Sequence, residues 1–289
     1  MFGGFSKSVK GASHEKTGLM CQDSSSHKVA DHYAVCVVAD GHGSKKHFRS
    51  NMGSKFAVEA TIETIDKFYE NREEFETYFP KNHKMIIKNI EKQIISTWNS
   101  KIDAHLKANP VTAEERSKFT DDEFEKINPE SYYGTTLIAA VTGEKFSFGL
   151  QIGDGSLVAL FDDCKAVMPM EYEESAPANI TSSICNAGAA TMFNSFYVDD
   201  KKLLAVFAST DGLYTSFGKE QDFFAYHSII TGQISDAADF ENVVYKNLEK
   251  RSHFGTEDDI SLSCVYNKDF IAKYKNELMN KISDFKKKK

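Results

Sequence analysis

At 289 residues with 41% hydrophobic content, the chain can bury a substantial core, as one large domain or two small ones. Lys and Arg total 35 against 42 Asp and Glu, and a net charge of −7 excludes the cationic field that general nucleic-acid binding needs. Cys21, Cys36, Cys164, Cys185 and Cys264 are odd in number and contain no CxxC pair, so reduced thiols in a cytoplasmic enzyme are expected, without structural zinc. Residues 1–16 hold no apolar run of signal-peptide length, no segment is long enough to span a bilayer, and no membrane partner is expected.

In chain order, Tyr33–Ala39 is a short apolar, β-rich run that stops at Asp40-Gly41, the pattern of a buried strand ending in a turn. Phe48, Met52, Phe56 and Ala60 then recur every four positions, with Ile65 and Tyr69 continuing the stripe, which predicts an amphipathic helix over about 46–70. Ile87, Ile90, Ile94, Trp98 and Ile102 predict its partner over about 84–107. The polar stretch 108–131 reads as a long connection. Strands are predicted at 135–142, 146–152 and 156–161, joined by tight turns as in an antiparallel meander. Residues 173–200, rich in Ala, Ser, Asn and Thr, read as a flap. Leu203–Ser209 is another strand, followed by helical patterns over 219–231 and 236–251, a last strand at 260–266 and a Lys-rich helix over 267–289. The basic tail Lys286–Lys289 reads as a frayed solubilising end. No repeat and no linker divides the sequence. The expected fold is α+β, one domain of two packed antiparallel sheets flanked by helices, a four-layer α-β-β-α sandwich.

Apolar strands meet acidic turns four times, at Asp40-Gly41, Asp154-Gly155, Asp211-Gly212 and Glu257-Asp258-Asp259. One Asp-Gly after a strand is ordinary turn chemistry. Four acidic strand ends, three Asp-Gly and one Glu-Asp-Asp, on strands that converge in packed sheets would crowd carboxylates whose mutual repulsion a divalent cation relieves. An all-oxygen ligand set favours Mg or Mn. Gly41, lacking Cβ, would let its carbonyl approach such an ion. A water shared by two ions deprotonates readily and can attack phosphorus in line.

Val38-Ala-Asp-Gly-His-Gly-Ser44 resembles the DGH(G/A)G signature of the metal-dependent protein phosphatases of type 2C. Gln22-Asp23, Gly134-Thr-Thr136, Gly153-Asp-Gly155, Ser209-Thr-Asp-Gly212 and Asp258-Asp-Ile-Ser261 are similar to the family's other short motifs, in its order, over about residues 10–266. The resemblance implies a serine/threonine phosphatase acting on phosphorylated proteins, with a cognate kinase as a further partner. Two Mg or Mn ions are implied, with a weaker third. Asp40 would bridge two ions, with the Gly41 carbonyl on one of them. Asp211 and Asp258 would complete the other ion's shell, and Asp154 would serve the third. Gln22 would hold a metal-bound water, Asp23 would orient the ligands, and His42 would protonate the leaving seryl oxygen.

Two positions depart from the family. Gly18 stands where an arginine commonly grips the substrate phosphate, which leaves Lys16 and Lys45 as substitutes and His14 as a weaker one. Gln22 replaces a glutamate and removes a negative charge. The run His14-Glu-Lys-Thr-Gly-Leu-Met-Cys-Gln-Asp23 resembles a bacterial branch in which Ser-His…Gly…Cys-Gln-Asp replaces the arginine-bearing start. Two other functions compete with a protein phosphatase: a non-catalytic domain that binds phosphoproteins and regulates a kinase pathway, and a hydrolase of small phosphomonoesters.

Overall fold

The computed structural model describes residues 1–170, 182–234 and 239–287. Its strands are β1 (Phe2–Val9), β2 (Ser24–Val29), β3 (Tyr33–Ala39), β4 (Leu137–Gly143), β5 (Ser147–Ile152), β6 (Ser156–Phe161), β7 (Ala166–Val167), β8 (Asn194–Val198), β9 (Leu203–Ser209) and β10 (Ile260–Asn267). Its helices are α1 (Ala12–Thr17), α2 (Ser50–Tyr69), α3 (Arg72–Ala108), α4 (Ala113–Ser117), α5 (Asp121–Glu125), α6 (Asp211–Thr215), α7 (Glu220–Gln233), α8 (Phe240–Arg251) and α9 (Lys268–Lys287). Two five-stranded sheets form, sheet I in the order β1-β10-β9-β6-β7 and sheet II in the order β2-β3-β4-β5-β8. Every pairing is antiparallel.

Alternation along each strand builds three cores. On β3, Val35, Val37 and Ala39 face Phe56, Ile94 and Trp98 of α2 and α3, while Ala34, Cys36 and Val38 face sheet I. Sheet I presents Leu204, Phe207 and Leu262 to Phe223 of α7, Leu248 of α8 and Leu278 of α9. β3, β4, β6 and β9 are covered on both faces, so they read as continuous apolar runs rather than alternating ones. The expected four-layer sandwich is the observed one.

Two of the local expectations change. Helix α3 begins a full three turns before the predicted start, because Pro80 marks a kink rather than an end, with Asn82 at φ −129°. The added turns bury Phe75 and Phe79, and the Phe79 ring stacks 4.3 Å from Phe146. The connection after α3 is also ordered. Thr112 with Glu115 and Thr120 with Glu123 form capping boxes that start α4 and α5. Strands β1, β2 and β8 have no counterpart among the sequence-predicted elements. Residues 173–181 of the predicted flap, 236–238 of the predicted helix over 236–251 and the last two lysines of the basic tail lie outside the described residues.

The α2–α3 contact leads to the site. Trp98 is fully buried, and its Nε1–H donates to the Gly53 carbonyl at 2.9 Å. A Cβ on Gly53 would sit 1.8 Å from the Tyr133 carbonyl oxygen, so only glycine lets α2 lie this close to the segment before β4.

Candidate metal centre

Strand register gathers the acidic turns at one end of the sandwich. Ser24 pairs with Ala39, so one step further along that ladder sets Asp23 across from Asp40. Ser156 pairs with Ser209 at the end of that ladder, and just beyond it Asp154 lies close enough for its charge to act on Asp211. Val9 pairs with Ile260, which brings the chain after β1 to Asp259.

Asp40 is held by its backbone. Its N–H donates to Thr136 Oγ1 at 3.0 Å, and its carbonyl accepts from Thr136 N–H at 2.8 Å and Thr135 Oγ1 at 2.7 Å. The Gly41 N–H donates to the Gln22 carbonyl, and a Cβ there would meet Gln22 O at 2.6 Å and Ser50 O at 2.7 Å. The motif glycine is thus required by close approach of two backbones. Asp23 is buried and accepts from Thr210 Oγ1 at 2.8 Å. Asp211 opens α6, while Asp154 and Asp258 are exposed.

These carboxyls repel one another. Burial pushes the Asp40 carboxyl well up, and the charges of Asp23, Asp211 and Asp258 push it further, with a hydrogen bond to Asp211. Burial and Asp259 raise Asp23, and burial with Asp154 and Asp258 raises Asp211. Among the described residues no three acidic, histidine or cysteine side chains close into a ready-made cage. The chemistry fits a divalent cation even so. Hard cations of Mg type retain several waters and take few protein ligands, and a cation offsets the repulsion that raises Asp40 and Asp211.

A pH dependence follows. In the unfolded chain these carboxyls ionise near their ordinary values, whereas the folded pocket favours the proton. Their contribution to metal-free stability is present below the unfolded values and is lost as pH rises through the raised folded ones. Thermal melts in chelator should fall by several degrees from about pH 5 to about pH 8, and Mn should restore more at the upper end. An equal Mn effect at both would contradict the repulsion.

His42 follows the same loop. Its N–H donates to the Gly134 carbonyl at 3.0 Å, and its ring lies 4.9 Å from that of His47, which donates through Nδ1 to the Ser131 carbonyl. Burial pulls His42 down to about 4, helped by His47 and Lys46 and opposed by Asp154. These surroundings, without substrate, favour the neutral ring. Gln22 donates through Nε2 to Ser50 Oγ at 2.9 Å. Lys16 pairs with Glu257 at 2.8 Å, and Lys45 pairs with Glu123 at 3.3 Å over the Phe119 ring.

Asp259 and Lys46 were given no role by the sequence patterns. Asp259 is buried among backbone donors, and Lys46 lies close enough for its charge to act on both His42 and His47. A doubled acid in the closing motif and a doubled lysine after the DGHG run were the available signals.

A chain of ordered acidic strand ends around a DGH loop, on a four-layer sandwich, defines a class of metal-dependent phosphohydrolases. The family model for protein phosphatase 2C matches residues 10–249, and the chain belongs to that family of metal-dependent protein phosphatases. No curated protein sequence matches it. Among solved structures it is similar in fold to the catalytic domain of the serine/threonine phosphatase PstP in complex with two manganese ions, at 14% identity and TM-score 0.53, over 92% of this chain and 97% of that one. The S. agalactiae serine/threonine phosphatase matches at 15% identity and TM-score 0.52, over 93% and 100%. A bacterial serine phosphatase matches at 12% identity and TM-score 0.54, over 92% and 98%.

Proposed function

We propose that the chain removes phosphate from phosphoserine and phosphothreonine in proteins, as one catalytic domain in the cytoplasm, opposing a cognate kinase. The supporting observation is the register that sets Asp40, Asp211, Asp23 and Asp154 at one sheet end. In this reading Asp40, the Gly41 carbonyl, Asp211 and Asp258 would hold two Mg or Mn ions, and Asp154 would serve a third. When bound, such ions neutralise phosphoryl charge and activate water as the nucleophile.

The chain's own residues do the rest. Asp23, fixed by Thr210, orients the ligands, and Gln22 holds water beside the Gly41 loop. His42 is neutral in its own surroundings. A phosphate dianion brings the opposite charge that favours the imidazolium, so His42 gains its proton with substrate and passes it to the leaving oxygen. The Lys16 and Lys45 pairs are exposed, and pairs of that kind are worth about 0–1 kcal/mol. Either ammonium can therefore exchange its carboxylate for the substrate phosphate.

Gly18 in place of a phosphate-gripping arginine favours a second reading, a domain that binds phosphoproteins without turnover. Phosphate release from a phosphothreonine peptide separates the two. Release that needs Mn or Mg and stops with chelator supports the phosphatase. Peptide and Mn binding with no release supports the binder.

A further inference from the structure

In the Ser13-His14…Gly18…Cys21-Gln22-Asp23 pattern, the proposed reaction uses Gln22 and Asp23 and leaves Ser13 and His14 without a role. The structure shows what they hold. Asp259 is 4% exposed, and three donors converge on its carboxylate. Oδ1 accepts from the Gly11 N–H at 2.6 Å and from His14 Nδ1 at 3.0 Å, and Oδ2 accepts from the Gln22 N–H at 2.6 Å. Around this centre, Ser13 donates to the Glu257 carbonyl through both N–H and Oγ, at 2.9 and 2.7 Å, and His253 meets Glu15. Gly18, at φ 72°, reverses the chain after α1, so both ends of the 11–22 segment return to one carboxylate.

Gln22 then passes the constraint on. Its carbonyl accepts from the Gly41 N–H at 3.2 Å and from Ser54 Oγ at 2.6 Å. A short backbone path therefore runs from Asp259, next to Asp258 on sheet I, through Gln22 to Gly41 and Asp40 on sheet II. The neighbour of Gln22 along the chain is Asp23.

We propose that Asp259 and His14 are a positioning pair that sets the spacing between the sheet I half and the sheet II half of the metal site. Neither touches the reacting atoms. The pair rests on the phosphatase reading only for its effect on turnover; its effects on Mn affinity and on backbone protection do not depend on that reading. His14 is the residue to change, because its side chain lies partly exposed at the edge of the pair and its loss leaves no cavity in the cores.

The experiment compares wild type, His14→Ala, His14→Asn and Asp259→Asn, with far-UV circular dichroism as the check on folding. Calorimetry with Mn alone should show about tenfold weaker binding in His14→Ala and Asp259→Asn, within the range for residues that orient metal ligands. Hydrogen exchange of the metal-free protein should show the Gln22 amide about tenfold faster in the same two variants. With Mn saturating, kcat should fall about tenfold in His14→Ala while KM stays within about twofold. His14→Asn, which keeps a donor near the Nδ1 position, should recover most of each loss. A folded His14→Ala with wild-type Mn affinity and wild-type Gln22 exchange overturns the proposal, as does loss of both without recovery in His14→Asn. Wild type that binds Mn tightly but releases no phosphate sinks the phosphatase reading alone; the positioning pair then stands or falls on the Mn affinities and Gln22 exchange rates of the variants.

Discussion

Asp40→Asn should abolish most turnover while leaving the protein folded and, without metal, slightly more stable. The substitution keeps the backbone bonds to Thr135 and Thr136, so the loop geometry survives. It removes the negative charge that three other aspartates oppose and that an ion needs. If Asp40 is a shared ion ligand, as proposed, its loss should lower kcat on an aryl phosphate by about a thousandfold or more, equivalent to about 4 kcal/mol of transition-state stabilisation. Relief of the repulsion should raise the metal-free melting temperature by a few degrees, and Mn should no longer shift it. Steady-state kinetics and paired melts with and without Mn check both halves. Wild-type turnover in this variant would remove the metal mechanism.

The largest expected loss of stability lies at Arg49. Its guanidinium meets both oxygens of Glu115 at 2.8 Å, the carbonyls of Asn109 and Pro110, and the Tyr133 hydroxyl. Every donor direction is used, and the side chain is only 8% exposed. Arg49→Ala should cost about 2–4 kcal/mol, below the value for a fully buried pair because Glu115 remains partly in water. Lysine should not restore it, since a point charge cannot bridge two oxygens and two carbonyls. The pH dependence has the opposite sign to that of the metal pocket. Arg49, and then the Thr112 N–H, hold Glu115 down to about 2, so its contribution is present above the unfolded value and fades as pH falls toward 2. Denaturant unfolding of both variants at neutral and acid pH measures this. Equal midpoints for Arg49→Ala and wild type at neutral pH would refute the account.

The legible parts of the fold were those where one force dominates. β3, β9 and β10 are covered on both faces, so continuous apolar runs announced them. β2 begins Ser24-Ser25-Ser26 and has no such run. It is stable because Ser8, Ser25 and Ser261 bond hydroxyl to hydroxyl, and Ser263 donates to the Ser26 carbonyl. That partnership exists only after the sheets meet, so no local pattern reports it. The first turns of α3 were not legible for a similar reason, since tertiary packing of Phe75 and Phe79 carries the helix through Pro80, a residue type that breaks isolated helices. At the site, motif spacing named the aspartates that register brings together. It named Asp258 and gave Asp259 no role, because only burial shows that the second of these adjacent acids meets backbone donors rather than solvent.

In the layer between the sheets, larger residues such as Ile138, Leu157, Val206 and Val265 are interleaved with the small side chains of Ala34, Cys36, Ala140, Ala159 and Ala208. Their slenderness fixes how near the two β layers lie, and the acidic tips belong partly to one layer and partly to the other. A valine or leucine at Ala159 or Ala208 therefore acts as a wedge. It prises the jaws of the pocket apart from deep inside the molecule, and catalysis would drift with the thickness of a seam that no substrate ever touches.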